Sequence, residues 1–124
     1  MRARVVGTGD IIDYGATNLV IGGTNAVATE TQASINATTG VATFTATSGT
    51  TLADAIADIA TRINSGGTTA GEFALFQVNG AGGYHLFISD GTAGVAANDI
   101  VVQLVGVNTI GTINLAAGDL TILT

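Results

Sequence analysis

The sequence predicts a mainly β domain, an antiparallel β-sandwich or a similar β-layer, with one amphipathic helix packed on it. Strand-like segments rich in Val, Ile and Thr recur roughly every 8–12 residues, a spacing typical of all-β domains. Only residues 51–64 keep a helical period over several turns. A hydrophobic content of 47% supplies the core, which must be mostly aliphatic because only 5% of the residues are aromatic.

Length and composition predict a single domain over residues 1–124, since the chain has no internal repeat and no linker. Charged residues make up 10% of the chain, against about 25% in an average soluble protein. This low charge, combined with ample hydrophobicity, argues against disorder and suits a domain that packs against copies of itself or a larger chain. No apolar run approaches the ~20 residues of a membrane span, so no span is predicted.

The charge and the cysteine content exclude several kinds of site. The net charge is −6 and there is no Lys, which argues against nucleic acid because phosphate binding needs a basic surface. The absence of Cys excludes disulfides and thiolate metal sites, and it fits a secreted bacterial protein. The first residues lack the apolar region of an ordinary export signal. We therefore expect any export address to lie elsewhere in the chain, or the chain to be a piece of a longer protein.

The part of the chain before the helix predicts short strands separated by turns. The expected strands are residues 2–6, 11–14 and 18–21, followed by a hairpin of residues 33–36 and 41–47. Residues 37–40 form the turn of this hairpin. In its second strand, alternate residues from Val41 to Thr47 are expected to share one face.

Residues 51–64 predict the only helix. Four apolar residues, spaced four, three and four apart, form a single stripe along it: Leu52, Ile56, Ile59 and Ile63. Thr50 or Thr51 caps its start, and Asp54 in the first turn complements the helix dipole. Arg62 lies in the last turn, just before a Gly-Gly exit.

A second hairpin and the closing strands follow the helix. Residues 73–78 and 84–89 read as strands around the Gly-rich turn 79–83, a strong hairpin signal. The remaining strands are expected within residues 99–107, 109–115 and 119–124. The helix is expected to lie on the resulting sheet.

No enzyme is predicted. His85 is the only histidine, the serines form no nucleophile motif and Cys is absent, so we interpret His85 as a strand residue facing solvent. Asp54 and Asp58 lie one helical turn apart. We interpret them as part of the solvent-exposed face of the helix rather than as an acid–base or cation-binding pair. The glycines within residues 7–10 precede a strand rather than a helix, so a dinucleotide-binding interpretation fails on context.

Calcium is the one cofactor that the sequence leaves open, and no cofactor is required. Asp side chains and turn carbonyls can supply the six to eight oxygens that calcium needs. The candidate ligands occur with glycines at turns: Asp10, Asp13, Asp90 and Asp99, with Asp119 in a similar setting. No Asp-x-Asp-x-Asp-Gly loop or Gly-rich nonapeptide accompanies them, and turn chemistry alone explains Asp and Gly at these points.

One resemblance adds an expectation about function. Residues 84–107 and the segment 9–14 resemble the C-terminal region of large bacterial surface proteins of the RTX kind, and the ending at residues 119–124 is similar to their acidic-then-apolar tails. That family includes adhesins and surface-layer proteins exported by type I secretion with an uncleaved C-terminal signal. The calcium-binding repeats of the family are missing here, so the resemblance assigns no calcium ligand.

A second resemblance is to the helix-plus-hairpin insert of flagellins and filament caps. It rests on residues 51–64 followed by the strands 73–78 and 84–89 around a Gly-rich turn. The long coiled-coil termini of flagellins have no counterpart in this chain. Both resemblances imply a location outside the cell and a role in assembly.

These observations together predict a non-enzymatic structural or assembly domain of a secreted protein at the bacterial cell surface. It is expected to form or terminate a surface layer, adhesin or filament. Its expected partners are copies of itself, as a homo-oligomer or polymer, and a type I secretion exporter. A calcium- or glycan-dependent adhesive binding module is the alternative.

The terminal segments carry the expected self-association. Residues 2–6 and 119–124 are strand-like and short, and Pro is absent from the whole chain. Each segment is therefore expected to pair with a neighbouring subunit through main-chain hydrogen bonds. The alternative is that both segments pair within one sheet of the same molecule.

Overall fold

The computed structural model describes residues 2–6, 9–23 and 26–123, with the backbone alone at residues 2–6, 9 and 10. Within these ranges the chain forms ten strands, one α-helix and a short 3-10 turn at Val78–Gly80. The strands are β1 (Arg2–Val6), β2 (Gly9–Asp13), β3 (Val20–Ile21), β4 (Ser34–Ile35), β5 (Ala42–Thr43), β6 (Glu72–Gln77), β7 (Tyr84–Ile88), β8 (Ile100–Gln103), β9 (Thr112–Ala116) and β10 (Asp119–Leu123). The helix, α1, is Leu52–Ser65. The domain is mainly β with one helix, as the sequence predicts.

Two four-stranded sheets form the body of the domain. Sheet A has the strand order β1-β2-β10-β9 and is antiparallel throughout. Sheet B has the order β3-β6-β7-β8, and its pairs are antiparallel except that β3 runs parallel to β6. The hairpin predicted after the helix is confirmed as β6 and β7, with Leu75 opposite Leu86.

The β4–β5 hairpin extends sheet B on the side of β3. β3 pairs with the first two residues of β6, Glu72 and Phe73. Val41, just before β5, then forms a parallel bridge to Leu75, whose N–H donates to the Gly40 carbonyl at 2.8 Å. The hairpin therefore takes over the pairing with β6 at the point where β3 ends.

Sheets A and B pack face to face around an apolar core. The residues that meet there are Ile12, Leu120 and Ile122 from sheet A and Phe73, Leu75, Leu86 and Ile88 from sheet B, none more than 1% exposed. The opposite face of sheet B, with Phe76 and Phe87, packs against α1. The layers are thus sheet A, sheet B and the helix, so the central strands of sheet B are buried on both faces.

Helix α1 confirms the predicted position to within one residue. Thr51 is the N-cap, and its side-chain oxygen accepts a hydrogen bond from the Asp54 N–H at 3.2 Å. Ile59 and Ile63 are buried against sheet B, but Leu52 at the start of the predicted stripe is 42% exposed. No helical segment in the described part of the chain has the length and hydropathy needed to cross a membrane.

The hairpin predicted from residues 33–36 and 41–47 is shorter in the structure. β4 and β5 have two residues each, and Ser34 lies opposite Thr43. After Thr43 the chain leaves the strand, and the Thr45 N–H donates to the Ser48 hydroxyl at 3.0 Å. The face expected to run to Thr47 ends at Thr43, because this local side-chain hydrogen bond replaces strand pairing.

Both terminal segments pair within sheet A. β1 pairs with β2, and β10 lies between β2 and β9. Leu120 and Ile122 of β10 belong to the core between the sheets. The expectation that both segments pair outside the domain is therefore wrong, since β10 is hydrogen-bonded on both sides and its apolar residues are buried. The pairing of both segments within one sheet is the arrangement observed.

Candidate functional site

The candidate calcium ligands Asp90 and Asp99 lie in one loop between β7 and β8, where their carboxylates bind backbone N–H groups. Asp99 Oδ1 accepts from the Asp90 N–H at 2.8 Å, and its Oδ2 accepts from the Ala96 N–H at 2.7 Å. Asp90 Oδ1 accepts from the Thr92 N–H at 2.8 Å. These hydrogen bonds shape the loop, so turn chemistry accounts for both aspartates.

The other candidate ligands lie in sheet A. Asp13 ends β2, and its Oδ1 accepts from the Gly15 N–H at 2.7 Å. The side chain of Asp10 falls outside the described atoms, and Asp119 begins β10. Across the described residues, no group of three or more His, Asp or Glu side chains is placed to hold a metal ion. Calcium binding stays a prediction with Asp10, Asp13, Asp90 and Asp99 as its candidates.

His85 lies on β7 opposite Phe76, and the two rings stack with their centroids 5.3 Å apart. The side chain is half-buried on the helix side of sheet B, so the interpretation of His85 as a solvent-facing residue is wrong. Its Nδ1 is buried and has no hydrogen-bond partner among the residues that the structure describes. Within that part of the chain, no carboxylate or hydroxyl orients this nitrogen in the way that a catalytic triad requires.

Two of the three charged side chains of α1 point into the protein. Asp58 is 4% exposed and Arg62 is 8% exposed. The burial of Asp58 overturns the interpretation that it belongs to the solvent-exposed face of the helix. Within the described ranges, Asp58 Oδ2 has no hydrogen-bond partner. Burial raises the pKa of Asp58, and the carboxylates of Asp54 and Glu30 raise it further by repulsion. The ionised form of Asp58 is therefore destabilising at this position.

Arg62 ties residues 26–33, called the strap from here on, to the helix. Its Nε donates to the Ala33 carbonyl at 2.6 Å, and its Nη2 donates to the Val27 carbonyl at 2.7 Å. The Ala33 N–H in turn donates to the Asp58 carbonyl at 3.2 Å. The helix thus binds main-chain atoms near both ends of the strap, through the Arg62 side chain and the Asp58 main-chain carbonyl.

Glu30 joins the tip of the strap to the loop after β5. Thr47 Oγ1 donates to Glu30 Oε2 at 2.5 Å, and Thr45 Oγ1 donates to Oε1. These hydrogen bonds lower the pKa of Glu30. The sequence assigned Glu30 no role, because its partners lie 15 and 17 residues away and no local motif connects them.

β8 and β9 are edge strands with one open side each. Among the described residues, β8 pairs only with β7, and β9 pairs only with β10. Neither strand contains a charged residue or Pro, which are common guards of exposed sheet edges. The remaining edge strands differ, since β1 contains two arginines and β3 and β4 are only two residues long.

A groove of about 540 Å³ lies against the β4–β5 hairpin. Ser34 and Thr43, which are opposite each other in the hairpin, line it, as does Val41. Residues at alternating positions of a strand point to opposite faces. Because Ile35 and Ala42 pack into the core beneath α1, Ser34 and Thr43 lie on the other face of the hairpin, toward sheet A. No charged residue lines the groove among those described.

The groove lies beside the open edge of sheet A. Ile110 forms part of its lining, and Ile110 precedes β9 by two residues and packs against the core between the sheets. At the other end of β9, the Leu19 N–H just before β3 donates to the Gly118 carbonyl at 2.9 Å. β9 thus lies over the edge of sheet B that carries β3 and the β4–β5 hairpin. Sheet A ends at β9, so it does not cover the hairpin.

The open edges of β8 and β9 face opposite sides of the sandwich. β8 is the last strand of sheet B on the side away from β3 and the hairpin. β9 is the last strand of sheet A on the side of β3 and the hairpin. The candidate site is therefore the β9 edge with its groove, and a second edge lies across the molecule at β8.

No protein-family model, curated protein or solved structure matches this chain. The chemistry of the site is that of an uncharged groove beside unpaired main-chain donors and acceptors. Such an arrangement suits an extended peptide strand, which pairs through its backbone and places alternate side chains in the groove.

Proposed function

We propose that this protein is a non-enzymatic assembly domain that joins copies of itself edge to edge. The observation that carries this proposal is the presence of two uncharged, open strand edges, β8 and β9, on opposite sides of the sandwich. An exposed strand edge pairs readily with another chain unless charges or Pro prevent it. Two such edges on opposite sides extend an assembly in one direction instead of closing it as a dimer.

The charge distribution supports association at these edges. The molecule carries a net charge of −6, so copies repel one another in general. The edges of β8 and β9 are uncharged, so burying them against a second copy does not remove water from any ionised group of these strands. Each edge is short, so a single contact is weak, and repeated contacts in an array give the assembly its strength.

The proposed setting is the surface of a bacterial cell, where the domain forms or terminates a surface layer, adhesin or filament. The absence of Cys, the resemblance to RTX-type surface proteins and the resemblance to filament proteins support this setting. A type I secretion exporter is the proposed route. Enzymatic activity forms no part of the proposal.

Lysine substitutions at the edges test the assembly proposal. Val101 of β8 is 39% exposed and Leu115 of β9 is 40% exposed. We expect light scattering of the wild type to show mass increasing with concentration. Val101→Lys and Leu115→Lys should each stop growth, at a dimer where like edges pair and at the monomer where β8 pairs with β9. The double variant should stay monomeric in either arrangement. Val105→Lys is the control, since Val105 is 87% exposed and outside any strand. A wild type that remains monomeric at high concentration contradicts the proposal.

The export route needs a test that spares the fold. Deleting residues 119–124 would remove Leu120 and Ile122 from the core and confuse export with unfolding. Asp119→Lys with Thr121→Lys alters the half-buried outer face of the tail and keeps both core residues. Secretion by a cell that carries the cognate exporter should fall while the melting temperature is retained. Unchanged secretion contradicts an export signal in this tail.

A glycan-dependent binding module is the second candidate. A cleft of about 370 Å³ brings together the ring of Tyr84 with the amides of Gln77 and Asn79. Aromatic rings and side-chain amides are groups that bind sugars, although Gln77 Nε2 already donates to the Gly82 carbonyl at 2.6 Å. Calorimetric titration with a panel of oligosaccharides, with and without calcium, tests this candidate. Binding that is lost in Tyr84→Ala, by a protein that stays monomeric, would favour it over assembly.

A further inference from the structure

The main-chain groups of Ile113 and Leu115 point away from the domain. β9 and β10 are joined by the two-residue turn Ala117–Gly118, in which both φ angles are positive, 55° and 84°. In such a turn the flanking residues, Ala116 and Asp119, form a hydrogen-bonded pair. Along the ladder, hydrogen-bonded pairs then alternate with pairs that are not hydrogen-bonded. The N–H and C=O groups of Ile113 and Leu115 therefore lie on the open side of β9.

The side chains of the same two residues form an incompletely covered apolar row. Leu115 lies opposite Leu120, so both point to the inner face of sheet A. Leu120 is fully buried, whereas Leu115 is 40% exposed at the edge. Ile113 is half-buried and packs against the core. The inner face of β9 thus continues the core to the open edge, on the side where the groove lies.

We propose that β9 pairs antiparallel with β9 of a second copy, with Asn114 opposite its own counterpart. This pairing rests on the proposed assembly function and names the partner and the register of one of its two interfaces. It places Ile113 opposite Leu115 of the second copy, and Leu115 opposite Ile113 of the second copy. All four outward main-chain groups are then hydrogen-bonded in each strand, and sheet A continues into the second molecule as an eight-stranded sheet.

The chemistry of the groove favours this occupant. The described lining of the groove is uncharged, and a charged strand placed there would lose its hydration without gaining a partner. β9 has the sequence Thr-Ile-Asn-Leu-Ala, which carries no charge and presents Ile and Leu to the inner face. In the proposed pair, Leu115 of the second copy lies on the inner face opposite Ile113, on the side of the groove that Val41 lines. The two Asn114 side chains meet on the outer face, where each amide can both donate and accept.

β9 fits this edge better than β8 does. The strands of a twofold pair have equal length, so all five residues of β9 find partners, whereas β8 has four residues. A β8–β9 contact between copies is the competing arrangement. It would put Val101 or Gln103, the residues on the alternate face of β8, against Asn114.

Single cysteine variants test the register, because the chain has no Cys of its own. In the proposed pair Asn114 occupies a non-hydrogen-bonded site, where opposing Cβ atoms lie about 4.5–5.5 Å apart and approach disulfide range. We expect Asn114→Cys to form a disulfide dimer under mild oxidation. Thr121→Cys is the matched control, since Thr121 lies opposite Asn114 on the same face but in an inner strand. It should remain a monomer on denaturing gels.

A mixed experiment checks the direction of pairing. Thr112→Cys and Ala116→Cys should each cross-link poorly alone and should cross-link with each other when mixed, as an antiparallel pair centred on Asn114 requires. Cross-linking of Asn114→Cys with Val101→Cys instead would establish the β8–β9 contact and overturn the proposal. Association in light scattering without an Asn114 cross-link overturns this register and leaves the assembly function standing. A protein that never associates overturns both.

The groove has its own test. Thr43 is exposed and lines the groove, so Thr43→Arg introduces a charge there without disturbing the core. We expect the dissociation constant of the β9 contact, measured in the Val101→Lys background, to rise at least tenfold. Thr61→Arg on the exposed face of α1 is the control and should change it less than twofold. An unchanged constant in Thr43→Arg overturns the role of the groove.

Discussion

The Nε atom of Arg62 donates a hydrogen bond to the carbonyl oxygen of Ala33 at 2.6 Å, across 29 positions of the sequence. This bond holds the helix against the residue that begins the β4–β5 hairpin. Asp58, one turn earlier on the same side of α1, has a buried oxygen that no described atom meets with a hydrogen bond. Arg62 therefore donates to two main-chain carbonyls. Burial and repulsion by Asp54 and Glu30 raise the pKa of Asp58 and disfavour its ionised form.

Replacing Arg62 by Met should destabilise the domain and loosen the strap. The substitution keeps the aliphatic part of the side chain but removes both donors to the carbonyls of Val27 and Ala33. Each hydrogen bond to a charged group contributes about 1.5–3 kcal/mol, so we expect the loss of two such bonds to cost at least that much in urea unfolding. Amide exchange of residues 28–32 should accelerate. Thr61→Met on the exposed face is the control, and equal effects of the two variants would contradict the role of Arg62.

Replacing Asp58 by Asn should stabilise the domain near neutral pH. The change removes a buried charge that is repelled by Asp54 and Glu30, and the expected gain is on the order of 1 kcal/mol. Because the folded-state pKa of Asp58 is raised, the penalty applies in full above that pKa. It disappears as the pH falls below the unfolded value of about 3.9. The difference between Asp58→Asn and wild type should therefore narrow on acidification, as measured by unfolding at several pH values.

Asp54→Asn is the matched control for this experiment. Asp54 lies one turn before Asp58, but its Oδ2 accepts from the Gly49 N–H at 2.6 Å, and it lies in the first turn of the helix. Removing its charge should weaken that hydrogen bond and the interaction with the helix dipole, so the domain should lose stability. A gain in both variants would mean that general charge repulsion is the cause.

Replacing Ile59 by Ala should destabilise the domain by about 2–5 kcal/mol, the range for removing a large buried aliphatic side chain. Ile59 is completely buried between α1 and sheet B. Leu52→Ala on the same helix removes a side chain of equal size that is 42% exposed, so its cost should be clearly smaller. Equal melting temperatures of the two variants would show that the face of the helix has been assigned incorrectly.

Gly49→Ala should destabilise the domain more than Gly80→Ala. The two glycines have nearly the same backbone conformation, with φ of +65° and +66°. A Cβ at Gly49 would overlap the ring of Phe44, whereas a Cβ at Gly80 would have no described atom within 4 Å. The difference between the two variants in thermal unfolding therefore isolates the packing of Phe44 on Gly49. Equal losses would attribute the whole effect to backbone strain.

The helix and the β6–β7 hairpin could be predicted because their signals are local. An apolar period, a capping Thr and a glycine-rich turn all occur within a few residues of the structure that they specify. The partner strands of β10 could not be predicted, because a strand segment shows its alternation but does not indicate which strand lies beside it. The expected pairing of the terminal strands with a neighbouring subunit failed for this reason.

The site was harder to predict than the fold. Asp58 carries the residue type of a solvent-facing helix position but is buried in the structure. The strap meets the helix at this residue, where the Ala33 N–H donates to the Asp58 main-chain carbonyl, and the strap has no periodic pattern that would predict this contact. The groove depends on Ser34 and Ile110, which are distant in the sequence and ordinary in type. The edge character of β9 had one sequence signal, the absence of charge and Pro in a strand segment. That signal becomes informative only when the order of the strands is known.

The position of β10 between β2 and β9 determines which of the two sheets can form first during folding. Sheet B joins neighbouring segments through a tight hairpin, so most of its pairing can form early. Ile12 instead finds its partner Leu120 at the far end of the chain, and the loop-closure entropy of that contact delays it. On a ribosome, sheet A remains incomplete until Leu123 has been synthesised. Until then the inner face of sheet B, with Phe73 and Leu86, is exposed to water and to other nascent chains.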